Sequence, residues 1–175
     1  AVEEAAERMG GLDGLVNNAG VVAYTREWGW ACFEQTEEDW DRVIGTNLKA
    51  VFFLSRTVAQ HFLLHGTQGN ILNVLSEAAF APASASYGAS KAGAMALTRG
   101  MASLLAPKGI VVNAIAPGTT ATDMVDIPKE AAAGRQKNGR LGTPEEMAAL
   151  AAFLMSREGE NIVGQTILSC GGSLI

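Results

Sequence analysis

Four short apolar segments, each ended by Asn, Ser, Pro or Gly, constrain the fold of this chain more than any other feature. They read GLVNNAG, NILNVLS, GIVVNAIAPG and QTILSCGG. Strands that lack a regular alternation of apolar and polar residues are buried on both faces, as in parallel sheets. Helical segments separate them along the chain. The sequence therefore predicts an α/β fold, with a doubly wound parallel sheet and helices on both faces.

The first long helical segment carries its own start and stop signals. Thr36 precedes it and Asp39 follows three residues later, a pattern typical of a helix N-cap with acidic residues in the first turn. The helix is expected to run to Gly66. It is also expected to bend near Gly45–Asn47, where a Gly-Thr-Asn run weakens it.

Two further helices follow along the chain. One is predicted from Ser84 to about Leu105, where the APKG turn ends it. The other begins after Thr143, with Pro144 at its first position and Glu146 in place for a capping box. No linker divides the sequence, so residues 1–175 are interpreted as one partial domain.

Charge and cysteine content exclude several classes of function. The net charge is −5 and the 13 Lys and Arg residues are scattered, which argues against a nucleic-acid partner. No apolar run is long enough to cross a bilayer and no signal-peptide pattern is seen, so no membrane partner is expected. Cys32 and Cys170 are far apart in sequence and are interpreted as reduced thiols of a cytoplasmic protein.

Polar residues gather at the predicted carboxyl ends of the strands, where ligands bind in open parallel sheets. The first strand ends in Asn17–Gly20, the second in Ser76 and the third in Pro117–Thr120. Tyr87 begins its helix at the same edge, and Lys91 lies one turn further along the same stripe. Tyr–Lys pairs at this spacing are common on amphipathic helices, so the spacing alone does not indicate a catalytic site. The catalytic interpretation is favoured because Tyr87 and Lys91 are expected at the same edge as the polar strand ends.

Five motifs in register, NNAG, TNLKAVF, NVLS, YGASK and NAIAPGTTATDM, resemble those of the classical short-chain dehydrogenase/reductase family. The resemblance runs from about Asp13 to Gly172 and implies a Rossmann-like fold that binds NAD or NADP. It implies a catalytic tetrad of Asn47, Ser76, Tyr87 and Lys91. It also implies that the cofactor is bound by Asn18, Ala19, Gly20, Tyr87, Lys91, Pro117, Gly118, Thr120 and Thr122.

The residue types of this tetrad suit the interconversion of a ketone or aldehyde with an alcohol by hydride transfer. A tyrosine hydroxyl titrates near pH ~10, and a nearby lysine ammonium favours the phenolate. By the resemblance, Tyr87 is the proton donor or acceptor, and Lys91 also binds the nicotinamide ribose. Ser76 holds the substrate oxygen, and Asn47 holds a water that links Lys91 to solvent. The expected partner is a small-molecule carbonyl or alcohol, and no metal is predicted.

Several of these residues also have a purely structural interpretation. NNAG is a turn-forming sequence, Ser76 can cap a following helix, and Asn47 can satisfy backbone groups at a helix bend. His61 and His65 are interpreted as structural, at a helix end where positive charge is stabilising. Substrate contact and packing or oligomer contact stay equally open for three aromatic residues: Trp28, Trp30 and Phe33.

One element of the family pattern is missing from this sequence. Dinucleotide binding needs a glycine-rich turn between a first strand and its helix, and no segment here provides one. We therefore expect an N-terminal truncation of roughly 60–80 residues, at about 30 residues per crossover unit. The strand at Leu15–Asn18 would then form an open edge of the sheet.

Three hypotheses stay open on the sequence. The first is a dehydrogenase/reductase that lacks its N-terminal part, and the second is a non-catalytic paralogue that acts as a binding or assembly subunit. The third is a lyase or epimerase that reuses the Ser–Tyr–Lys cluster with a borrowed cofactor. The resemblance also implies a homodimer or homotetramer, paired through the helices at about Asp39–His65 and Tyr87–Leu105.

Overall fold

A computed structural model describes residues 1–23, 31–81, 85–124, 133–134 and 136–175 of the chain. Its centre is a sheet of four parallel strands, arranged in the order in which they follow along the chain. This confirms the parallel sheet predicted from the apolar segments, with each strand somewhat shorter than its segment. The strands are β1 (Gly14–Asn17), β2 (Asn70–Val74), β3 (Val111–Pro117) and β4 (Thr166–Ser169).

Helices connect the successive strands. Short 3₁₀ turns lie at Glu77–Ala79, Ala106–Lys108 and Arg157–Gly159. The α-helices are α1 (Val2–Met9), α2 (Ala31–Glu34), α3 (Glu37–Ile44), α4 (Ala50–His65), α5 (Ala85–Leu105) and α6 (Pro144–Met155).

Alternate residues of the strands face two separate helical layers. On one face, Ile71 of β2 packs in a buried cluster with Phe62 of α4 and Ala102 of α5. Its neighbour Leu72 points to the other face and packs in a cluster with Leu154 of α6. Side chains of successive strand residues leave opposite faces of a sheet, so both faces need an apolar cover. The prediction of helices on both faces is confirmed.

Local capping signals set the helix boundaries as predicted. The Thr36 hydroxyl accepts a hydrogen bond from the backbone N–H of Asp39 at 3.1 Å, and α4 ends at Gly66 in a left-handed conformation. Thr143 and Glu146 form the reciprocal capping box at the start of α6. These bonds satisfy N–H groups that the first turn of a helix leaves unpaired.

The bend predicted near Gly45–Asn47 is a π-helical turn over Gly45–Lys49, between α3 and α4. Such turns are rare and occur mostly as single interruptions of an α-helix, frequently at functional sites. Asn47 lies inside the turn, and its side chain is buried. The irregular turn therefore places a polar amide in the interior, next to the carboxyl end of β1.

A chain of buried hydrogen bonds crosses the sheet beneath the carboxyl ends of β1 and β2. The Asn17 amide donates to the Ser55 hydroxyl of α4 and to the Asn73 carbonyl oxygen Oδ1 of β2, each at 2.8 Å. Asn73 donates to the Thr98 hydroxyl of α5 at 2.9 Å, and Thr98 donates to the Ala94 carbonyl at 2.8 Å. The interpretation of both strands as apolar runs does not predict this network, which ties two strands to two helices.

Strand β1 has an open edge in the part of the chain that the structure describes. There it pairs with β2 on one side only, as expected for Leu15–Asn18. Val16, within β1, exposes 47% of its surface. An apolar strand with an unpaired edge is a template for pairing with another strand.

Two remaining points concern segments outside the sheet. No helix in the described ranges combines the length and apolarity that crossing a bilayer requires. The predictions made for Trp28, Trp30 and Ser84 fall on residues outside those ranges.

We expect Asn73→Leu to lower the free energy of unfolding by about 2–4 kcal/mol, measured by urea denaturation. The substitution removes two buried hydrogen bonds, one donated by Asn17 to Asn73 and one donated by Asn73 to Thr98. Asn17 and Thr98 are then left with unsatisfied polar groups in the interior. Asn161→Leu makes the same change at an exposed position and should stay within about 0.5 kcal/mol of the parent protein. Equal losses in the two variants would show that the network does not stabilise the fold.

Candidate active site

The candidate site lies at the edge of the sheet where β1, β2 and β3 end. Because the strands are parallel, their carboxyl ends meet at one edge, and the helices that follow start there. Asn18 follows β1, Ser76 follows β2, and Pro117 is the last residue of β3. Tyr87 lies in the first turn of α5. The strand ends predicted to converge do lie along this edge.

Lys91 is a buried cation at this edge. It exposes 5% of its surface, and its Nζ donates to the Val74 carbonyl at the end of β2, at 2.9 Å. Burial away from water lowers the pKa of its ammonium from 10.5 to about 8. A buried charge is costly to maintain, so a hydrogen-bonded ammonium in this position is a candidate functional group.

Tyr87 and Lys91 face each other across one turn of α5. The Lys91 Nζ lies 5.7 Å from the centre of the half-buried Tyr87 ring. The predicted sharing of one helical stripe is therefore confirmed. The arrangement therefore puts a positive charge beside the phenol ring, on the same side of the helix.

Asn47 joins the π turn to the loop after β1. Its Oδ1 accepts from the Val21 backbone N–H, and its Nδ2 donates to the Val21 carbonyl, each at 2.8 Å. Nδ2 also donates to the Ser90 hydroxyl at 3.2 Å. These bonds correspond to the structural interpretation of Asn47, in which the amide satisfies backbone groups. Its role in holding a water stays a prediction, and it can coexist with these contacts.

Gly20 lies beside the Lys91 ammonium. A Cβ atom at this position would lie 3.5 Å from the Lys91 Nζ and 3.6 Å from the Asn47 Oδ1. A small side chain would therefore fit by ordinary contact, but it would fill the space next to the ammonium. The glycine of the NNAG motif keeps that space open.

Ser76 has a clear local role. Its hydroxyl oxygen accepts a hydrogen bond from the Ala78 backbone N–H at 3.2 Å and so caps the 3₁₀ turn Glu77–Ala79. This is the capping role that the sequence left open beside catalysis. A hydroxyl that accepts with a lone pair still has its own O–H to donate, so capping does not remove Ser76 from the chemistry.

The segment after β3 is held against the C-terminal part of the chain. The Gly118 N–H donates to the Ser169 carbonyl at 2.9 Å, and a Cβ on Gly118 would lie 2.7 Å from the Cα of Cys170. Only glycine fits such a close backbone approach. Thr120 donates to the Gly118 carbonyl at 3.0 Å, while Thr122 is exposed.

Among the described residues, the motifs do not predict three of the hydrogen-bond partners in this site: the Val74 carbonyl, the Val21 backbone and the Ser90 hydroxyl. Two of them are backbone groups, which carry no mark in the sequence. Ser90 does carry a signal, because it stands inside the YGASK motif immediately before Lys91.

Comparison with known proteins gives sequence relatives over the whole chain. Residues 1–173 match the profile of a family described as enoyl-(acyl carrier protein) reductase. The 3-oxoacyl-(acyl-carrier-protein) reductase FabG of Thermotoga maritima is 39% identical over 180 aligned positions, which cover 99% of this chain and 71% of that protein. The 2-dehydro-3-deoxy-D-gluconate 5-dehydrogenase of Dickeya dadantii is 40% identical over 182 positions, covering 99% and 70%.

Solved structures share the fold as well as the sequence. A short chain dehydrogenase from Burkholderia cenocepacia, in complex with NADP, superimposes with a TM-score of 0.89 at 36% identity. That match covers 99% of this chain and 70% of the other. The family profile, the identities and the common fold agree with the five motifs found in the sequence. The chain belongs to the short-chain dehydrogenase/reductase family of oxidoreductases.

Proposed function

We propose that this chain carries the catalytic residues of an NAD(P)-dependent oxidoreductase that interconverts a ketone or aldehyde with an alcohol. The observation that carries the proposal is the buried Lys91 ammonium, fixed by the Val74 carbonyl and 5.7 Å from the centre of the Tyr87 ring. The named relatives support a carbonyl or alcohol substrate, since one is a 3-oxoacyl-(acyl-carrier-protein) reductase and another a 2-dehydro-3-deoxy-D-gluconate 5-dehydrogenase.

The residues at this edge fit the nicotinamide end of such a cofactor. A lysine ammonium has three N–H donors, and the described contacts of Lys91 use one of them, on Val74. The space beside the ammonium is kept open by Gly20. A ribose hydroxyl is a suitable acceptor for the remaining donors. We assign cofactor binding to Asn18, Ala19, Gly20, Tyr87, Lys91, Pro117, Gly118, Thr120 and Thr122.

The proposed chemistry divides hydride and proton between cofactor and protein. Bound NAD(P) supplies or accepts the hydride. On reduction, Tyr87 gives its hydroxyl proton to the substrate oxygen, and the Lys91 charge stabilises the phenolate that remains. Ser76 donates its O–H to the same oxygen as negative charge develops there. Asn47 holds the loop after β1 in place through Val21.

We expect Tyr87→Phe to lower kcat/KM for ketone reduction at least 100-fold, because the variant has no proton to transfer. The change is measured from NADPH or NADH oxidation in the presence of a ketone, with both variant and parent prepared in a form that contains a glycine-rich dinucleotide turn. The dissociation constant of the reduced cofactor should change less than about threefold, since the ring stays in place. Ser103→Ala removes a hydroxyl from an exposed position near the far end of the same helix and should leave kcat/KM within about threefold.

Two results would count against this proposal. If Tyr87→Phe turned over ketone at the parent rate, another group would be the proton donor. If a form of the protein that also contains a glycine-rich dinucleotide turn bound neither NAD nor NADP, the non-catalytic alternative would be favoured instead.

Lys91→Met should abolish turnover and yet raise the free energy of unfolding at pH 7 by about 1–3 kcal/mol. The pKa of Lys91 is lowered from 10.5 to about 8 by burial, so keeping its charge in the folded protein opposes folding. Above pH 8 the folded protein releases this proton before the unfolded chain does. The unfolded chain then binds more protons, and the stability of the parent protein rises with pH relative to that of the variant.

Urea denaturation at pH 7 and pH 10 measures this difference. The advantage of Lys91→Met should shrink between the two pH values, while the exposed control Lys108→Met should show no such trend. A Lys91→Met variant that is less stable than the parent at pH 7, with the deficit unchanged at pH 10, would contradict this account.

We also propose a homodimer or homotetramer that is paired through α4 and α5. Large apolar side chains are exposed on both helices, with Phe53 at 44%, Leu64 at 76% and Leu104 at 75%. On α4, Phe53 and Leu64 are eleven positions apart and so share one face. Exposed apolar side chains on neighbouring helices are a feature of subunit interfaces. As a whole the assembly is proposed to act in the cytoplasm, where the free thiol of Cys170 stays reduced.

We expect Phe53→Glu to convert the oligomer into monomers, because a carboxylate replaces an exposed apolar group within the proposed contact. Light scattering after size-exclusion chromatography measures the mass, and circular dichroism checks the fold. Gln68→Glu adds the same charge at an exposed site beyond the end of α4 and should leave the mass unchanged. A parent protein that is monomeric at tens of micromolar would overturn the interface.

A further inference from the structure

Glu3, His61 and His65 form a cluster of possible metal ligands away from the candidate active site. Glu3 belongs to α1, and the two histidines lie one turn apart on α4. The Nδ1 of His61 lies 2.9 Å from the Glu3 Oε1, and the Nε2 of His65 lies 3.8 Å from the Glu3 Oε2. The chain has only these two histidines. Both of its imidazoles therefore converge on one carboxylate.

The separations within the cluster suit a single ion. One ligand atom from each residue lies within 4.8 Å of the other two. A zinc ion bound at about 2.0–2.1 Å to imidazole nitrogen and carboxylate oxygen holds its ligands roughly 3.3 Å apart. Small rotations of exposed side chains would bring all three atoms to that spacing. Glu3 and His65 are exposed and can make such rotations, whereas His61 is held in place by burial at 7% exposure.

Charge in the cluster also favours a cation. The cluster contains one carboxylate, that of Glu3, and a glutamate carboxylate carries a negative charge at neutral pH. Coordination by Nδ1 of His61 requires the ring proton to sit on Nε2, so the ion would take the place of the proton that Nδ1 now donates to Glu3. Two imidazoles and a carboxylate are the donor set of several protein zinc sites, with solvent in the fourth position.

We propose that Glu3, His61 and His65 bind one divalent first-row transition metal ion, of the Zn²⁺ class, and so link α1 to α4. Imidazole nitrogen selects Zn²⁺, Ni²⁺ or Cu²⁺ over Mg²⁺ and Ca²⁺, which prefer oxygen ligands. His61 lies fourteen positions after Asn47 along the same helical segment, which is about 20 Å at 1.5 Å per residue. The ion would therefore brace the fold at the opposite end of α4 from the candidate active site, and the proposal does not rest on the proposed function.

The test uses the protein without a histidine tag, so that no tag imidazoles compete for the ion. Isothermal titration with ZnCl₂ should give one site per chain, and titration with MgCl₂ should give none. Zn²⁺ at a hundredfold excess over its dissociation constant should raise Tm by about 5–10 °C, since it binds only the folded state. The absorption spectrum of bound Co²⁺ should show no thiolate charge-transfer band, which separates this site from one at a cysteine.

Two exposed ligands provide variants that should fold normally, because His65 and Glu3 are both on the surface. His65→Ala and Glu3→Gln should each weaken Zn²⁺ binding at least tenfold, a loss that even an outer-shell partner of a metal produces. Glu7→Gln removes a carboxylate from an exposed position of the same helix and should leave the affinity unchanged. Absence of Zn²⁺ binding, or binding that His65→Ala leaves unaltered, would overturn the proposal.

Discussion

The buried hydrogen-bond chain through Asn17 and Asn73 joins the two strands and two helices that position much of the candidate site. It joins Ser55 of α4, β1, β2 and Thr98 of α5 in one line across the sheet. Each bond contributes only about 1 kcal/mol net, but loss of one partner leaves others unsatisfied in a dry layer. Because α5 also carries Tyr87 and Lys91, the position of the candidate catalytic pair relative to the strand ends depends on this network of hydrogen bonds.

Beside this network, the buried ammonium of Lys91 is the charge that faces Tyr87. The Lys91 ammonium is taken out of water and receives one backbone carbonyl in return, so its pKa falls toward neutrality. Burial of this charge lowers the free energy of unfolding of the protein. Buried charges with shifted pKa values are common at functional sites, where they act on a neighbouring group. Here the ring of Tyr87 is such a neighbour of Lys91. Asn47 and Gly20 shape the space around the ammonium without adding a second charge.

Much of this architecture could be predicted from local sequence signals. The caps at Thr36 and Thr143, the stop at Gly66 and the interruption of the helix at Gly45–Lys49 all depend on residues close together in the chain. The parallel sheet followed from strands that are apolar on both faces, because such strands need two helical layers.

The unpredicted features all depend on contacts between distant parts of the chain. Asn17 and Asn73 are 56 positions apart and no local signal links them, but the register of β1 and β2 sets them side by side. The partner of Lys91 is a backbone carbonyl, and every residue has one. Glu3 and His61 are 58 positions apart and meet because α1 packs beside the end of α4. Sequence patterns report periodicity and caps well, whereas they carry little information on which polar groups meet across the fold.

The π turn at Gly45–Lys49 has a consequence for how this chain tolerates change in length. A π turn holds one residue more than a regular helical turn, so the loss of a single residue there could be absorbed by reversion to continuous α-helix. The two flanking helices would then keep their hydrogen bonds, but the amide of Asn47 would rotate away from Val21 and the loop after β1 would lose its anchor. One-residue deletions within Gly45–Lys49 would thus leave the helical layer intact but would displace the loop that lies beside the Lys91 ammonium. Deletions of the same size within α4 would shift the register of its apolar face.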